Sequence, residues 1–340
     1  FSNCAKKGYD LVLVGSIWSQ IESFAGYAFS KGHSASYAVE SYQSLYLKAH
    51  YPLEYMTATI NNFGGYYRTE IYVHEARRFG ALIEAPSINE GDYASVLIGK
   101  RLVLGFNLVD GIEVKCIRSI LKERIENGLF RNFDDLMQRL SIPLEQLSLL
   151  IRIGALRDFS EDRKTLLWKA HLYLNKSTPN SKQNSLFSTA PLSFKLPSFE
   201  EGNMECSFEQ IELMGFPLCN PFDLLANPLP KHTLAKQIVN SLGLVIESVG
   251  YLVAVKPSKT SKGTLMNFGT FIDVAGDTID TVHFPEAVRK YPFMGKGIYR
   301  MKGRVTEEFG YYSLEVGQME KLRLIDDVRF GEQATISSLV

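Results

Sequence analysis

Apolar residues at helical spacing dominate the chain up to about residue 175. In the first part, Ala38, Tyr42, Leu45 and Ala49 recur every three or four positions, and Pro52 ends the pattern. This spacing predicts a helix that starts near residue 34. A helical, aromatic-rich block is therefore expected over residues 1–90.

Residues 91–175 form a second block, which is helical after a short lead-in. The pattern predicts one helix from Lys115 to Glu126 and another around residues 144–151. The apolar positions are Ile117, Leu121 and Ile125 in the first helix and Leu144, Leu147 and Ile151 in the second.

The pattern switches to short strands after residue 240. Hairpin turns are expected at Ala275-Gly276-Asp277 and Glu308-Phe309-Gly310, and a helical insert at Pro285–Tyr291 separates the third strand from the fourth. Five short strands with this insert fit the five-stranded barrel called the OB-fold. The strands are predicted near residues 248–256, 265–274, 278–284, 297–305 and 310–317.

A polar stretch at Asn175–Lys182 follows the helical blocks. It cannot bury much apolar surface, so it predicts a flexible tether. The expected fold class is multidomain α plus β. After the two helical blocks, the expected parts are a tether at 176–194, a helical linker at 195–240, an OB-fold domain at 241–325 and a tail at 326–340.

Composition narrows the class of protein further. Hydrophobic residues make up 45% of the 340 residues and charged residues 22%, which is ordinary for a soluble protein with a core. No apolar run approaches the ~20 residues of a membrane helix, so no membrane partner is expected. The 37 basic and 37 acidic residues cancel, which argues against a nucleic-acid-coating protein but leaves room for local basic strips.

The four cysteines, at positions 4, 116, 206 and 219, are scattered and form no C-x-x-C pair. Neither a disulfide framework nor a zinc site is expected, and a reducing cytoplasm is the simplest location. The chain starts at Phe1 rather than Met and shows no signal peptide. We therefore expect a piece of a longer polypeptide.

The first candidate site is the loop Phe24–His33, which carries two glycines among aromatic residues. It predicts a tight turn that presents Lys31 and His33 just before a helix start. Unpaired backbone N–H groups and a lysine at a helix amino terminus form an anion site. The alternative is a structural loop in which Lys31 is only solvated.

The second candidate is a pair of helix-connecting hairpins, Leu108–Glu113 and Ile151–Leu156. A hairpin with glycine in its turn offers backbone N–H groups to a DNA phosphate without reading a base. Residues 100–131 hold seven basic and four acidic side chains, a net of +3, which fits a surface that faces phosphates. The alternative is that each glycine only caps a helix.

The third candidate is the short motif Gln183-Asn184-Ser185-Leu186-Phe187 in the tether. Two adjacent apolar side chains on a flexible segment suit a docking peptide, because a partner's pocket can bury them while Gln183 fixes the register with its amide. The alternative is that Leu186 and Phe187 pin the tether to its own domain.

The fourth candidate is the barrel, whose basic groove and aromatic residues would bind a single strand. Three lysines fall between the first two strands with no acid among them, and three basic residues alternate along the fourth strand and share one face, opposite Tyr299, Met301 and Val305. The alternative is that these cations guard an open edge strand. The candidates are Lys256, Lys259, Lys262, Arg300, Lys302 and Arg304, with Tyr311 and Tyr312 as stacking platforms.

Several of these motifs together resemble those of the C-family DNA polymerases, the alpha subunits of bacterial DNA polymerase III. The run Phe24–Ala35, then Tyr42-Gln43 and Leu47–Pro52, is similar to the fingers of that family, and the similarity continues through Ala85–Asn89 and over nearly the whole chain. The resemblance implies a fingers segment, a tandem helix-hairpin-helix domain, a sliding-clamp-binding motif and an OB-fold.

The resemblance also implies site residues. Lys31 and His33 would lie toward the incoming nucleotide and primer–template, with Lys48 and His50 on a helix that packs that layer. The hairpins would contact the DNA backbone, Gln183, Leu186 and Phe187 would bind the clamp, and the barrel would bind single-stranded template. The implied hairpin contacts are Val109, Gly111, Ile112, Lys115 and Gly154.

The parent protein is then expected to be a DNA-directed DNA polymerase of chromosomal replication, with other replisome subunits as partners. In the family, the catalytic aspartates that hold two metal ions belong to a palm domain that precedes this segment. Neither Asp134-Asp135 nor Asp326-Asp327 projects both carboxylates to one face. No catalytic or metal-binding residue is expected here, and Mg²⁺ is expected only through the parent's palm.

Three positions depart from the family pattern. Gly32 stands where the family usually has serine, Asp110 replaces the first hairpin glycine, and Asn220 stands where the family often has histidine before Pro221. An acid beside a phosphate is unfavourable, so the first hairpin is expected to be weakened or purely structural. Two alternatives stay open: a damage-tolerant paralogue of the family, and a non-catalytic DNA-binding adaptor.

Overall fold

The computed structural model describes residues 1–25, 31–63, 65–175, 204–327 and 329. The chain divides into two compact units, Phe1–Tyr55 and Met56–Val340. The division falls inside the first sequence block because the residues after it join the second unit. Met56 and Ile60 are buried, and the Asn61 side-chain amide exchanges two hydrogen bonds with the backbone of Ser95.

The first unit is helical. Pro52 is the first residue of its last helix, a position where the missing N–H costs little because first-turn donors have no partner within the helix. Tyr42 and Leu45 are exposed, so the periodic spacing predicted the helix correctly but not burial of its apolar face. The helices are α1 (Ser2–Lys6), α2 (Leu11–Ala25), α3 (Lys31–His50) and α4 (Pro52–Asn61), which crosses the unit boundary.

In the second unit, the end of α4 is followed by helix α5 (Thr69–Arg78) and a small sheet. The sheet has the order β1-β3-β2, with β1 parallel to β3 and β2 antiparallel to it. Two of its strands occupy the expected lead-in, but β1 falls at the end of the first block, which was predicted to be helical. Strands of three residues are too short to establish a two-residue period. The strands are β1 (Leu82–Glu84), β2 (Val96–Ile98) and β3 (Arg101–Val103).

Four helices follow the sheet and share one apolar core. Ile117 and Leu147 are fully buried in it, as predicted, whereas Ile125 is exposed. Each step of four residues turns about 40° past a full helical turn, so Ile125 lies well off the face that Ile117 occupies. The helices are α6 (Val114–Asn127), α7 (Phe133–Arg139), α8 (Leu144–Arg152) and α9 (Arg163–Asn175).

A closed five-stranded barrel ends the second unit, after the helices α10 (Glu205–Met214) and α11 (Ala235–Ile238). Its strand order is β4-β5-β6-β8-β7, with β7 pairing back to β4 and only β6 and β8 parallel. Helix α12 (Pro285–Lys290) joins the third strand to the fourth. The strands are β4 (Val245–Lys259), β5 (Leu265–Ile272), β6 (Thr278–His283), β7 (Ile298–Glu308) and β8 (Tyr311–Lys321).

This arrangement confirms the predicted OB-fold and the multidomain α plus β class. The sequence ended the first strand before Pro257, but β4 runs on to Lys259. The proline is tolerated because β4 pairs with β7 only as far as Tyr251, which leaves one side of the later strand without a ladder to donate to.

Candidate nucleic-acid interface

The candidate residues of the first unit all lie on α3. Lys31 and His33 fall in its first turn and Lys48 and His50 in its last, and the Lys31 side chain lies outside the described residues. The 17 positions from His33 to His50 span about 25 Å at ~1.5 Å per residue. The helix therefore presents two separate pairs, and one nucleotide cannot reach both.

The first hairpin makes the turn that the glycine predicted. Gly111 has a φ of 77°, in the left-handed region that favours glycine. Buried Gln146 on α8 holds this turn: its Oε1 accepts a hydrogen bond from the Glu113 N–H at 2.7 Å, and its Nε2 donates to the Gly111 carbonyl at 3.0 Å. The turn is thus fixed by a side chain 33 positions away from Glu113.

Several backbone donors of this hairpin are already used. The N–H of Val109 donates to Phe106, and the N–H of Asp110 donates to the Leu213 carbonyl of α10 at 2.7 Å. The hairpin donors that remain at exposed residues are the N–H groups of Gly111, Val114 and Lys115, the last two of which have no intrahelical acceptor. An acceptor outside the protein would meet the hairpin at this helix start.

Exposed positive charge gathers on the same helix. Lys115, Arg118 and Lys122 are exposed on α6 at a spacing that places them on one side, and we call them the α6 basic stripe. The sequence reading named only Lys115 individually, although the three- and four-residue spacing of the others was visible.

The other arginines of this region are used internally. Arg101 pairs with Glu84 and Glu90, and Arg131 pairs with Asp135. Arg124 donates to two backbone carbonyls, those of Ile88 and Gly91, at 2.9 and 2.8 Å. On α6 itself, Lys122 pairs with Glu126 at 3.8 Å, which leaves Lys115 and Arg118 as the exposed cations of this helix with no ion pair among the described residues.

The second hairpin differs from the first. Gly154 has a φ of 83°, but its N–H donates to the Ile151 carbonyl and the next N–H, of Ala155, donates to Leu150. These bonds cap α8 in the manner of a left-handed helix terminus. Gly154 therefore acts as a cap in this structure, and a phosphate could use its N–H only by opening that cap.

The candidate docking motif with Gln183, Leu186 and Phe187 lies between residues 176 and 203, outside the described residues. Its role as a clamp-binding motif stays a prediction. The same holds for the tether that contains it.

The lysines of the barrel are exposed, but they do not all lie between strands as the sequence predicted. Lys256 and Lys259 belong to β4 itself, and only Lys262 lies in the β4–β5 turn. The difference follows from the extra length of β4. Because successive side chains of a strand alternate in direction, Lys256 and Lys259 point to opposite faces.

The alternation along β7 is confirmed, since Tyr299, Met301 and Val305 are buried inside the barrel. Its outer cations are partly neutralised by Glu247 of β4. Arg300 pairs with that carboxylate at 2.5 Å and Lys302 at 3.4 Å, and the Arg300 hydrogen bond lowers the pKa of Glu247.

Arg304 is the member of the strip without an acidic partner among the residues described. The sequence could not show that Glu247 neutralises Arg300, because the two residues lie 53 positions apart.

The β7–β8 turn carries the most exposed aromatic side chain of the barrel. Phe309 is 98% exposed at its tip and Tyr311 is 80% exposed beside it, whereas Tyr312 is less exposed. The sequence predicted Phe309 only as part of a turn. In OB-folds, the loops that join the first strand to the second and the fourth strand to the fifth contact oligonucleotides. In this barrel they are the β4–β5 and β7–β8 turns.

One aspartate of each adjacent pair is used for structure. Asp135 accepts a hydrogen bond from the Arg131 backbone N–H and pairs with Arg139, and Asp327 pairs with Arg329. Within the ranges that the structure describes, no group of three or more His, Cys, Asp and Glu side chains is arranged to hold a metal ion. Nor does any helix in those ranges combine the length and apolar character needed to cross a membrane.

Comparison with known proteins agrees with this architecture. The helix-hairpin-helix motif family matches residues 80–166. The alpha subunit of DNA polymerase III from Treponema pallidum (strain Nichols) is 29% identical over 307 residues, which cover 82% of this chain and 25% of that protein. The same subunit from Borreliella burgdorferi (strain ATCC 35210) is 27% identical over 349 residues, covering 95% of this chain and 30% of that protein.

A solved structure, the Stn1–Ten1 complex of S. pombe, matches 23% of this chain and 58% of that chain at 19% identity, with a TM-score of 0.20. The hairpin region and the closed barrel define a modular protein that joins a helix-hairpin-helix domain to an OB-fold. Over most of its length the chain is similar to the alpha subunits of DNA polymerase III. It spans about a quarter to a third of the length of these relatives.

Proposed function

We propose that this chain is the DNA-gripping portion of a DNA-directed DNA polymerase that acts in chromosomal replication. The observation that carries the proposal is the start of α6, where open backbone donors at Gly111 and the helix terminus lie beside the α6 basic stripe. Backbone N–H groups and basic side chains together suit the phosphates of duplex primer–template, which they position without reading its sequence.

Salt-dependent duplex binding tests this role. Replacing Lys115 and Arg118 with serine should weaken binding and reduce the slope of log affinity against log salt by about two, since each phosphate contact contributes about 0.9. The matched control replaces Arg289 and Lys290 of α12, which carry the same two charges on an exposed surface. Fluorescence anisotropy at several salt concentrations gives both slopes, and equal slopes for the two variants would refute the assignment.

We propose that the barrel holds single-stranded template through its two exposed turns. Phe309 and Tyr311 supply aromatic faces, and Lys262 supplies positive charge in the β4–β5 turn. A base stacked on an aromatic side chain contributes about 1–3 kcal/mol. Phe309→Ala should therefore weaken single-strand binding at least fivefold, whereas Tyr93→Ala, at an exposed site on the helical domain, should leave it unchanged. Equal affinities of the two variants would contradict the proposal.

We propose that Gln183, Leu186 and Phe187 dock onto a sliding clamp. This proposal is supported by the sequence motif and by its position between the hairpin domain and the barrel. Replacing Leu186 and Phe187 with alanine should cost a few kcal/mol of clamp affinity through lost apolar burial. Surface plasmon resonance measures the affinity, and thermal unfolding is the control. A lower melting temperature with unchanged clamp affinity would assign both side chains to the protein's own core.

We propose that α3 contributes to the fingers of the parent, with Lys31 and His33 toward the incoming deoxynucleoside triphosphate. The carboxylates that hold Mg²⁺ would belong to the palm of the parent, and the described residues offer no carboxylate cluster that fits the metal. The 340-residue chain by itself is therefore expected to show no primer extension. Extension by the purified chain would contradict this division of labour.

A further inference from the structure

A cavity of about 170 Å³ lies in the second unit, between α5, the short helical turn Pro221–Leu224 and the β5–β6 hairpin. Its volume is far above the ~10–15 Å³ that suffices for one water molecule. Phe222 and Ile272 provide apolar walls, and His74, Arg77 and Asn220 provide polar ones. None of its lining residues belongs to the α6 start or to the β4–β5 and β7–β8 turns of the barrel.

The side-chain acceptors in the cavity wall are already used. The carboxylate of buried Asp273 accepts three backbone N–H groups, two of them from its own hairpin and one from Ala235. The Asn220 side chain accepts from the Phe222 N–H and donates to the Val274 carbonyl. A ligand would find few side-chain acceptors there.

Donors remain, and Arg77 supplies most of them. One Nη of Arg77 donates to the Leu218 carbonyl and the other to His74 Nδ1 at 3.0 Å, which leaves three of the five guanidinium N–H groups. Within the described chain, Arg77 forms no ion pair. Arg78, on the same wall, is already paired with Glu75 and Asp277.

The contact with Arg77 also fixes the state of His74. A guanidinium can only donate, so His74 Nδ1 must accept and the ring proton must lie on Nε2. Burial and the positive charge of Arg77 lower the pKa of His74 to about 4, so the ring is neutral at pH 7. Its Nε2–H is a further donor beside the guanidinium.

We propose that this cavity binds a phosphate group, which Arg77 grips with its free N–H groups and His74 with its Nε2–H. An oxyanion supplies acceptors for the Arg77 N–H groups that have no partner among the described residues, and a guanidinium fork suits phosphate oxygens. The group is either a free phosphate ion or a phosphate of a nucleic acid. The site is independent of the DNA-binding role proposed above, because none of its residues belongs to that interface.

Calorimetric titration of the 340-residue chain with inorganic phosphate tests the proposal, together with the NMR signals of the His74 ring. Saturable binding at one site and a shift of the His74 Nε2 signal are expected. Arg77→Met should weaken binding at least tenfold. Arg289→Met removes the same charge from the exposed surface of α12 and should leave binding unchanged.

Arg77 also anchors the Leu218 carbonyl, so its loss could disturb folding. Ala275→Leu gives a second variant, which fills the cavity from the hairpin side and leaves both donors in place. It should abolish phosphate binding without lowering the melting temperature. Unsaturable binding to the wild type, or wild-type affinity in a folded Arg77→Met or Ala275→Leu variant, would overturn the proposal.

Competition with a single-stranded oligonucleotide that lacks terminal phosphates separates the two sources. Displacement of inorganic phosphate by the strand would assign the site to the nucleic-acid backbone. Retention of inorganic phosphate would assign it to a free anion. Both results support the phosphate site, since each requires that inorganic phosphate binds in the cavity first.

Discussion

His283 is a histidine that the barrel keeps neutral. Its side chain is fully buried, its Nε2 lies 2.9 Å from Thr281 Oγ1, and its Nδ1 has no hydrogen-bond partner in the described protein. Burial lowers the pKa of His283 to about 4, from 6.5 in an unfolded chain. Between these two pH values the unfolded state binds a proton that the folded state does not, so stability falls as the pH decreases.

We predict that His283→Leu flattens this pH dependence. The wild type should lose up to about 3 kcal/mol through this residue between pH 6.5 and pH 4, at about 1.4 kcal/mol per pKa unit. Urea unfolding across that range measures the slope. His171→Leu, at an exposed position on α9, is the control and should keep the wild-type slope. An unchanged slope in His283→Leu would show that the imidazole is protonated inside the barrel.

Single residues also mark where sequence reasoning stopped. The outward alternation of Arg300 and Lys302 followed from the two-residue period of a strand, but their neutralisation by Glu247 depends on which strand lies alongside β7. The hold of Gln146 on the first hairpin likewise joins two helices. Periodicity identifies the face of a side chain, and only the three-dimensional fold identifies its partner.

At the scale of elements, α5 and the barrel are joined by a buried carboxylate. Glu70 is almost fully buried and accepts a hydrogen bond from Tyr251 Oη at 3.1 Å. It also pairs with Lys296 at 2.7 Å and with Arg68 at 2.8 Å, and Arg68 donates in turn to the Leu252 carbonyl. Burial and the negative charge of Glu70 raise the pKa of Tyr251. One carboxylate of α5 thus gathers groups from the residue before that helix, from β4 and from the segment before β7.

We predict that Glu70→Ala destabilises the second unit by about 2–4 kcal/mol. The substitution leaves the Tyr251 hydroxyl without its acceptor and two cations without their partner. Denaturant unfolding measures the loss. Glu286→Ala removes a surface carboxylate whose pair with Lys290 is exposed, and it should leave stability nearly unchanged. Similar losses in the two variants would mean that Glu70 is not a structural centre.

Long, strongly patterned elements were predictable and short ones were not. The barrel strands and α6 have enough residues to establish a period, and helix α12 was expected close to its observed bounds. The strands β1 to β3 have three residues each and give no such signal. The length of β4 was underestimated because a proline usually ends a strand, and the missing neighbour beside Pro257 could not be seen in the sequence.

At the scale of the whole molecule, the two units differ in how they treat apolar side chains. The second unit has a continuous helical core and a filled barrel. The first unit leaves many apolar side chains exposed, among them Val12 at 81%, Tyr42 at 72% and Leu45 at 66%. Large exposed apolar surfaces promote association between protein molecules.

We predict that residues 56–340 fold without the first unit. The shortened chain should keep the cooperative unfolding of the second unit, because its cores lie within that range. It should also associate less and bind less of the dye ANS than the 340-residue chain, because the exposed helices are gone. Calorimetry and light scattering measure both properties. Loss of the unfolding transition on truncation would show that the first unit stabilises the second.

The chain enters and leaves the barrel at one place. Leu225 forms a bridge with Leu324, the Ala226 N–H donates to the Arg323 carbonyl at 3.0 Å, and the Ile325 N–H donates to Leu224 at 2.9 Å. The first and last residues of the barrel segment therefore lie next to each other, as in a domain that can be exchanged as a unit. A different five-stranded barrel could be spliced in between them while the upstream helices keep their positions, so this junction offers a natural place for recombination or protein engineering to alter what the module holds.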